Sequence, residues 1–221
     1  MKLVIFDMDG LLVDSEKVYA EGWKKGLLEK GYDISYELIE DLSGRSAANN
    51  NKVIFEIVKD MDLVMEIRKI REDYFCKQLE DGKIELMPYA FQLIQYLKNN
   101  NIKIALATTS HKPRVREVLI TNNVSDVFDY ICCGDEVEKV KPNPDIYLSV
   151  LNKSGLSNDE AIALEDSLTG AKAAIAAKIP VAIISKKIAK NNDLAKGLEV
   201  IGIFESLEDF YIKYMKEGKH S

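Results

Sequence analysis

Lys2-Leu3-Val4-Ile5-Phe6-Asp7-Met8-Asp9-Gly10 is the stretch from which the rest of the chain is read. Lys2 to Phe6 has the length and apolar character of a short buried strand, and Gly10 supplies the turn that ends it. Two carboxylates, Asp7 and Asp9, follow the strand one residue apart. An acid at the end of a buried strand is costly to desolvate unless its charge is compensated. A divalent cation is the simplest compensation, so the segment reads as a metal-assisted active site.

Outward from this strand, two textures succeed one another. Between Ser15 and Glu80 the pattern is helical, with no convincing strand. Val18, Trp23, Leu27 and Leu28 fall near one face of a helix that ends at Gly31. A second set runs through Ile54, Ile57, Val58 and Met61, and a third through Leu63, Ile67, Ile70 and Phe75. From Leu86 onward, apolar runs at residues 102–107, 130–133, 161–164 and 181–184 are separated by helical patterns such as 88–99 and 144–154. This alternation predicts an α/β fold, a doubly wound parallel sheet with helices on both faces. The first strand must join the same sheet, so the helical block is an insertion. The expected division is a core of residues 1–14 and 82–221 and a small helical domain of residues 15–81. The pattern of residues 207–216 predicts a last helix packed on the sheet.

Bulk properties act by exclusion. The chain has 221 residues, 47% hydrophobic and 30% charged, enough for one sizeable core with a smaller partner. A formal net charge of −6 and the lack of a basic stripe argue against nucleic acid as a ligand. No apolar run is long enough to span a bilayer, and Asp7 and Asp9 interrupt the first apolar segment before a secretory signal could form. Cys76, Cys132 and Cys133, odd in number with two adjacent, suggest buried reduced thiols. A monomeric cytoplasmic enzyme is the expectation.

The polar residues behind the apolar runs carry the chemistry. Asp7 and Asp9 follow the first run; Thr108, Thr109, Ser110 and His111 follow the second. Lys139 and Lys141 lie beyond the third, Lys141 just before Pro142, and Glu165, Asp166 and Ser167 follow the fourth. Ligands of open parallel sheets bind at the carboxyl ends of the strands, so these groups should converge. Each also has an ordinary reading. Asp7 and Asp9 could form an Asx-turn or a calcium loop, although Gly10 arrives too early for an EF-hand. Lys141 could be a solvated lysine, with Pro142 and Pro144 starting a helix. Thr108 could satisfy a backbone group, Asp166-Ser167 could cap the helix that follows, and His111 could simply face solvent.

In their joint order, Asp7-Met8-Asp9-Gly10, Thr108, Lys141 and Glu165-Asp166 resemble the four motifs of the haloacid dehalogenase-like phosphotransferase superfamily. The strings 7–16, 141–147 and 164–167 are similar to its β-phosphoglucomutase and sugar-phosphate phosphatase branch, and the insertion stands where that branch has a cap domain. The resemblance implies a Rossmann-like core and phosphoryl transfer, which needs a nucleophile, in-line positioning and neutralised phosphate oxygens. Asp7 is then the nucleophile, forming an aspartyl-phosphate. Mg²⁺ is expected on Asp7, the backbone carbonyl of Asp9, and Asp166, with Glu165 either a direct ligand or a group behind the ligands. Asp9 would protonate the leaving oxygen and later deprotonate water. Thr108 would bond a phosphate oxygen, and Lys141 would set a positive charge beside it. Thr109, Ser110, Trp23, and Arg45 in the turn Ser43-Gly44-Arg45-Ser46 are candidate substrate contacts, with packing as the rival role for Trp23 and an exposed surface position for Arg45.

The resemblance thus implies Mg²⁺-dependent hydrolysis of a small phosphorylated metabolite, a sugar phosphate in the first instance. Two alternatives stay open: a β-phosphoglucomutase, and a phosphatase or pyrophosphatase of another small molecule. The mutase pattern has a histidine where this chain has Tyr19, and a cap lysine without a certain counterpart here, Lys69 and Lys77 being only nearby. Both departures favour hydrolysis.

Overall fold

The computed structural model describes residues 1–35, 38–39, 42 and 47–217. It divides into two compact units, Met1–Val13 with Leu86–Ser221, and Asp14–Glu85. Among the described residues the first holds six strands: β1 (Leu3–Phe6), β2 (Lys103–Ala107), β3 (Tyr130–Cys132), β4 (Ala161–Glu165), β5 (Val181–Ile184) and β6 (Gly202–Phe204). All pair in parallel, in the order β3-β2-β1-β4-β5-β6. This is the doubly wound sheet that the apolar runs predict.

Side-chain parity explains how the sheet is covered. Leu3, Ile5, Ala105, Ala107, Ala161, Ala163, Val181 and Ile183 point to one face, where they pack on Ile146, Tyr147 and Val150 of the helix Asp145–Ser154 and on Ala171, Ala173 and Ala174 of the helix Leu168–Ala176. Alanine on both sides of this contact lets helix and sheet approach closely. The alternate residues Val4, Phe6, Ile104, Leu106, Ile162 and Leu164 are equally buried, as a sheet covered on both faces requires.

The sequence pattern and the structure differ at several element ends and in the following respects. β4 runs one residue further than its apolar run and carries Glu165 inside the sheet. β6 has no counterpart in the sequence pattern, because three residues beginning with glycine give no periodicity to read. The terminal segment is α-helical only over Leu207–Phe210 and continues as a π-helix over Tyr211–Glu217, with Tyr211 against Tyr89 and Tyr96 and Phe210 against Phe204.

The second unit contains α1 (Glu16–Glu29), α2 (Ala47–Val58) and α3 (Met61–Glu80). The Asp60 side chain caps α3, accepting from the backbone N–H groups of Asp62 and Leu63. Trp23, Leu27, Ile39, Ile54, Val64 and Ile67 form its core. Among the described residues, no helix of the chain is long and apolar enough to cross a membrane.

α1 and α3 meet at Gly26, where a Cβ would stand 2.8 Å from the Ile67 carbonyl oxygen. Alanine favours a helix over glycine by up to about 1 kcal/mol, but a backbone oxygen cannot yield as a flexible side chain can. Overpacking of this kind costs about 1–3 kcal/mol. Gly26→Ala should therefore lower unfolding stability by about 1 kcal/mol or more in chemical denaturation. A stabilised variant would show that α1 and α3 can separate freely.

Candidate active site

Strand register dictates the centre of the site. Phe6 pairs with Leu106 on one side and Leu164 on the other. One residue further along, Asp7 stands level with Ala107 and Glu165, on the face shared by Ile5, Ala105 and Ala163. Neighbouring strands are about 4.8 Å apart, so two acids are brought side by side where Asp7 is 8% exposed and Glu165 is 1% exposed. Lys141 resolves the repulsion. Its Nζ donates to Asp7 Oδ1 at 2.5 Å, Glu165 Oε1 at 2.6 Å and the Ala107 carbonyl at 2.8 Å. An ammonium has three protons, and each is directed to one of three adjacent strand ends. Lys139, two residues earlier, stays exposed.

The charges reflect this packing. Burial raises the Asp7 carboxyl above its ordinary range, against the pull of the Lys141 charge and with a further push from Glu165. Burial alone would lower the Lys141 ammonium, but Asp7 and Glu165 outweigh it and hold Lys141 above the usual lysine value. Lys141 is therefore a fixed cation.

Asp7, Glu165 and Asp166 each present an oxygen within 4.8 Å of the others. Glu165 Oε1 also accepts from the Tyr147 hydroxyl, while Oε2 is buried with no hydrogen-bond partner among the described residues. The same carboxylate lies over Gly170 in the first turn of the helix Leu168–Ala176, where a Cβ would come within 1.9 Å of Oε2. Asp7, Glu165 and Asp166, with one Glu165 oxygen unmatched among the described residues, form a hard-oxygen set suited to a divalent cation such as Mg²⁺.

A second group assembles beside the first. Ser110 Oγ donates to Asp9 Oδ2 at 2.8 Å, and Thr108 Oγ1 accepts from the Ser110 backbone N–H at 3.0 Å. The 108–110 turn is held from beneath by Gly134, whose backbone N–H donates to the Ser110 carbonyl; a Cβ there would stand 2.2 Å from the Thr109 carbonyl oxygen. Thr109 itself is exposed. His111 is also exposed, and Ser167 caps the helix after Asp166 by accepting from the Gly170 N–H.

The structure thus brings Asp7, Lys141, Glu165 and Asp166 together, and Asp9, Ser110 and Thr108 beside one another. It corrects two expectations. Trp23 is not an open substrate contact: it is 2% exposed in the core of the helical unit, with the Arg71 guanidinium 4.9 Å from its ring centre. Cys76 is exposed, whereas Cys132 and Cys133 are buried; all three are free thiols, and burial pushes Cys133 up to about 12. Arg45 and the 43–46 turn lie outside the described residues. Tyr147 and Gly170 went unremarked as site residues. The available signals were a hydroxyl among the apolar positions of a helix starting at Pro144, and a glycine in the first turn after two acids.

The profile of the haloacid dehalogenase-like hydrolases matches residues 4–184. The CbbY protein of Rhodobacter capsulatus is 25% identical over 204 residues, covering 88% of this chain and 90% of that protein. A phosphorylated carbohydrates phosphatase of Thermotoga maritima is 29% identical over 180 residues, covering 81% and 82%. The crystal structure of an Entamoeba histolytica HAD hydrolase, family IA, variant 3, superposes with a TM-score of 0.83 at 25% identity, covering 98% of both chains.

Removing the central ammonium should be severe. Lys141→Met leaves two buried carboxylates without their cation, a change that costs about 3–5 kcal/mol. Without the ammonium, the folded-state Asp7 carboxyl rises further above its unfolded value. The penalty is then full above the folded value and disappears below the unfolded one. In chelator, the stability gap between wild type and Lys141→Met should narrow as pH falls. A gap that is constant or widens toward acid would mean Lys141 does not hold Asp7 ionised.

Proposed function

Because the chain belongs to the haloacid dehalogenase-like hydrolases and is a phosphatase of that family, we propose that it hydrolyses a small sugar phosphate with Mg²⁺ through an aspartyl-phosphate on Asp7. The observation that carries this reading is the Lys141 ammonium shared by Asp7 and Glu165 beside Asp166. A carboxylate can attack a phosphate dianion only where negative charge is screened, and this cluster is built around such screening.

Each residue has a definite task in this proposal. Asp7 attacks phosphorus; the bond to the leaving oxygen breaks, and an acyl phosphate remains on Asp7. Asp9, met by the Ser110 hydroxyl, gives its proton to the leaving oxygen. It then takes a proton from the water that cleaves the acyl phosphate, which releases inorganic phosphate and restores Asp7. The Thr108 hydroxyl accepts from the Ser110 N–H, which leaves its own proton to donate to a phosphate oxygen. Mg²⁺, held by Asp7, the Asp9 carbonyl and Asp166 with Glu165 against them, would neutralise phosphate oxygens.

The substrate class rests on the Thermotoga maritima relative, named for phosphorylated carbohydrates. Residues 15–81 would act as the cap that selects it, and the enzyme would work as a cytoplasmic monomer on a free metabolite. Hydrolysis is preferred to mutase chemistry because of Tyr19. Its ring stacks on Phe75 at 4.7 Å with the Arg71 guanidinium 4.8 Å from its centre, and a phenol at this position lacks an imidazole's ability to couple closure over the substrate to proton positioning on Asp9.

Phosphate release from a generic phosphomonoester should stop with chelator and return with Mg²⁺, with Ca²⁺ a poor substitute because it favours more ligands at longer distances. Asp7→Asn should lower turnover by at least about 10³-fold. Asp9→Asn should slow turnover yet leave Mg²⁺ binding largely intact, since its carbonyl is the proposed ligand. With β-glucose 1-phosphate and a trace of bisphosphate, inorganic phosphate should be the main product. Full activity in chelator would sink the mechanism, and glucose 6-phosphate formed without phosphate release would establish the mutase instead.

A further inference from the structure

Tyr147 is fully buried and touches both partners of the central ion pair. Its hydroxyl donates to Glu165 Oε1, and the Lys141 Nζ lies 5.2 Å from its ring centre. A phenylalanine would fill the same space on the helix Asp145–Ser154. The phenol hydroxyl is therefore not needed for packing, and burying it is costly unless it is bonded.

The bond it makes is selective. Glu165 Oε1 accepts from the Lys141 ammonium and the Tyr147 hydroxyl, while Oε2 has no partner among the described residues and rests over Gly170. Loss of the hydroxyl would leave Lys141 as the carboxylate's one hydrogen-bond donor among the described residues, and its terminal bond would be free to turn. Lys141 would follow, because Glu165 is one of the three acceptors that fix its position beside Asp7.

We infer that Tyr147 is a positioning residue: its hydroxyl locks Glu165, and through Glu165 sets Lys141 against Asp7 and the acid cluster for Mg²⁺. This rests on the hydrolase reading above and extends it to a residue that makes no contact with the reacting atoms. Partners at this remove typically account for about 10–100-fold in metal affinity or activity.

The test is Tyr147→Phe, read in three ways: Mg²⁺ titrated calorimetrically into protein without substrate, kcat and KM for p-nitrophenyl phosphate at saturating Mg²⁺, and thermal melting. The expected result is a folded variant whose Mg²⁺ affinity and kcat each fall about 10-fold, with KM unchanged. Mg²⁺ affinity and kcat equal to wild type would overturn the inference, whatever the melting temperature does. A variant that fails to fold would make the hydroxyl a structural group and overturn it equally. If wild type itself neither binds Mg²⁺ nor releases phosphate, the hydrolase reading falls and this inference with it. An active wild type with an unaltered Tyr147→Phe removes only the inference.

Discussion

One ammonium between two buried carboxylates is the constraint on which the rest of this core depends. Parallel register leaves no freedom in where Asp7 and Glu165 go: once Phe6 pairs with Leu164, the next residues share a face and a level. Burying two such charges without a cation between them would cost several kcal/mol. Lys141 supplies that cation, and its third proton takes the Ala107 carbonyl, the next strand end in the same row. The surroundings follow from this. Alanine dominates the neighbouring sheet positions, Gly170 leaves room for the Glu165 carboxylate, and Tyr147 closes the wall behind it.

The site's place in the chain has a topological cause. β1 lies between β2 and β4, so the order of connection reverses at its carboxyl end, and a crevice opens there in any doubly wound sheet. The helical insertion leaves the core a few residues beyond that point. Its neck is closed by an antiparallel bridge between Val13 and Leu86 and by the Met87 N–H donating to the Leu12 carbonyl at 2.8 Å. With its ends pinned together, the insertion interrupts the sequence of the sheet without disturbing its register. Loop closure costs little more for a long insertion than for a short one, which makes such an arrangement thermodynamically inexpensive.

The sheet was legible because buried parallel strands are written as continuous apolar runs, and five of the six strands have one. β6 has three residues and no run, so nothing marked it. Polar residues behind the runs were legible as a set, but their partners were not. That Lys141 enters and Lys139 does not depends on the path of the chain before the helix Asp145–Ser154, which no local pattern encodes. Tyr147 meets Glu165 from a separate helix and Gly170 meets it across the strand-to-helix turn, and each reads locally as an ordinary helix residue. Trp23 shows the opposite limit. An aromatic at helical spacing looks the same whether it faces a ligand or a core, and only the positions of Ile54, Val64 and Ile67 assign it to the core.

Exposure separates two kinds of group within the site. Asp7, Lys141, Glu165 and Tyr147 are all buried and joined by charge-assisted or buried hydrogen bonds. Asp9 and Ser110 are partly exposed, and the Ser110 hydroxyl donates to Asp9. The division suits the proposed chemistry. A nucleophile and its counter-charge gain from rigidity, because every ångström of displacement lengthens the in-line approach. A residue that gives a proton in one step and takes one in the next must meet two different oxygens, and a neutral donor steadies it without fixing its charge. The buried ion pair therefore belongs with Asp7, and the hydroxyl with Asp9.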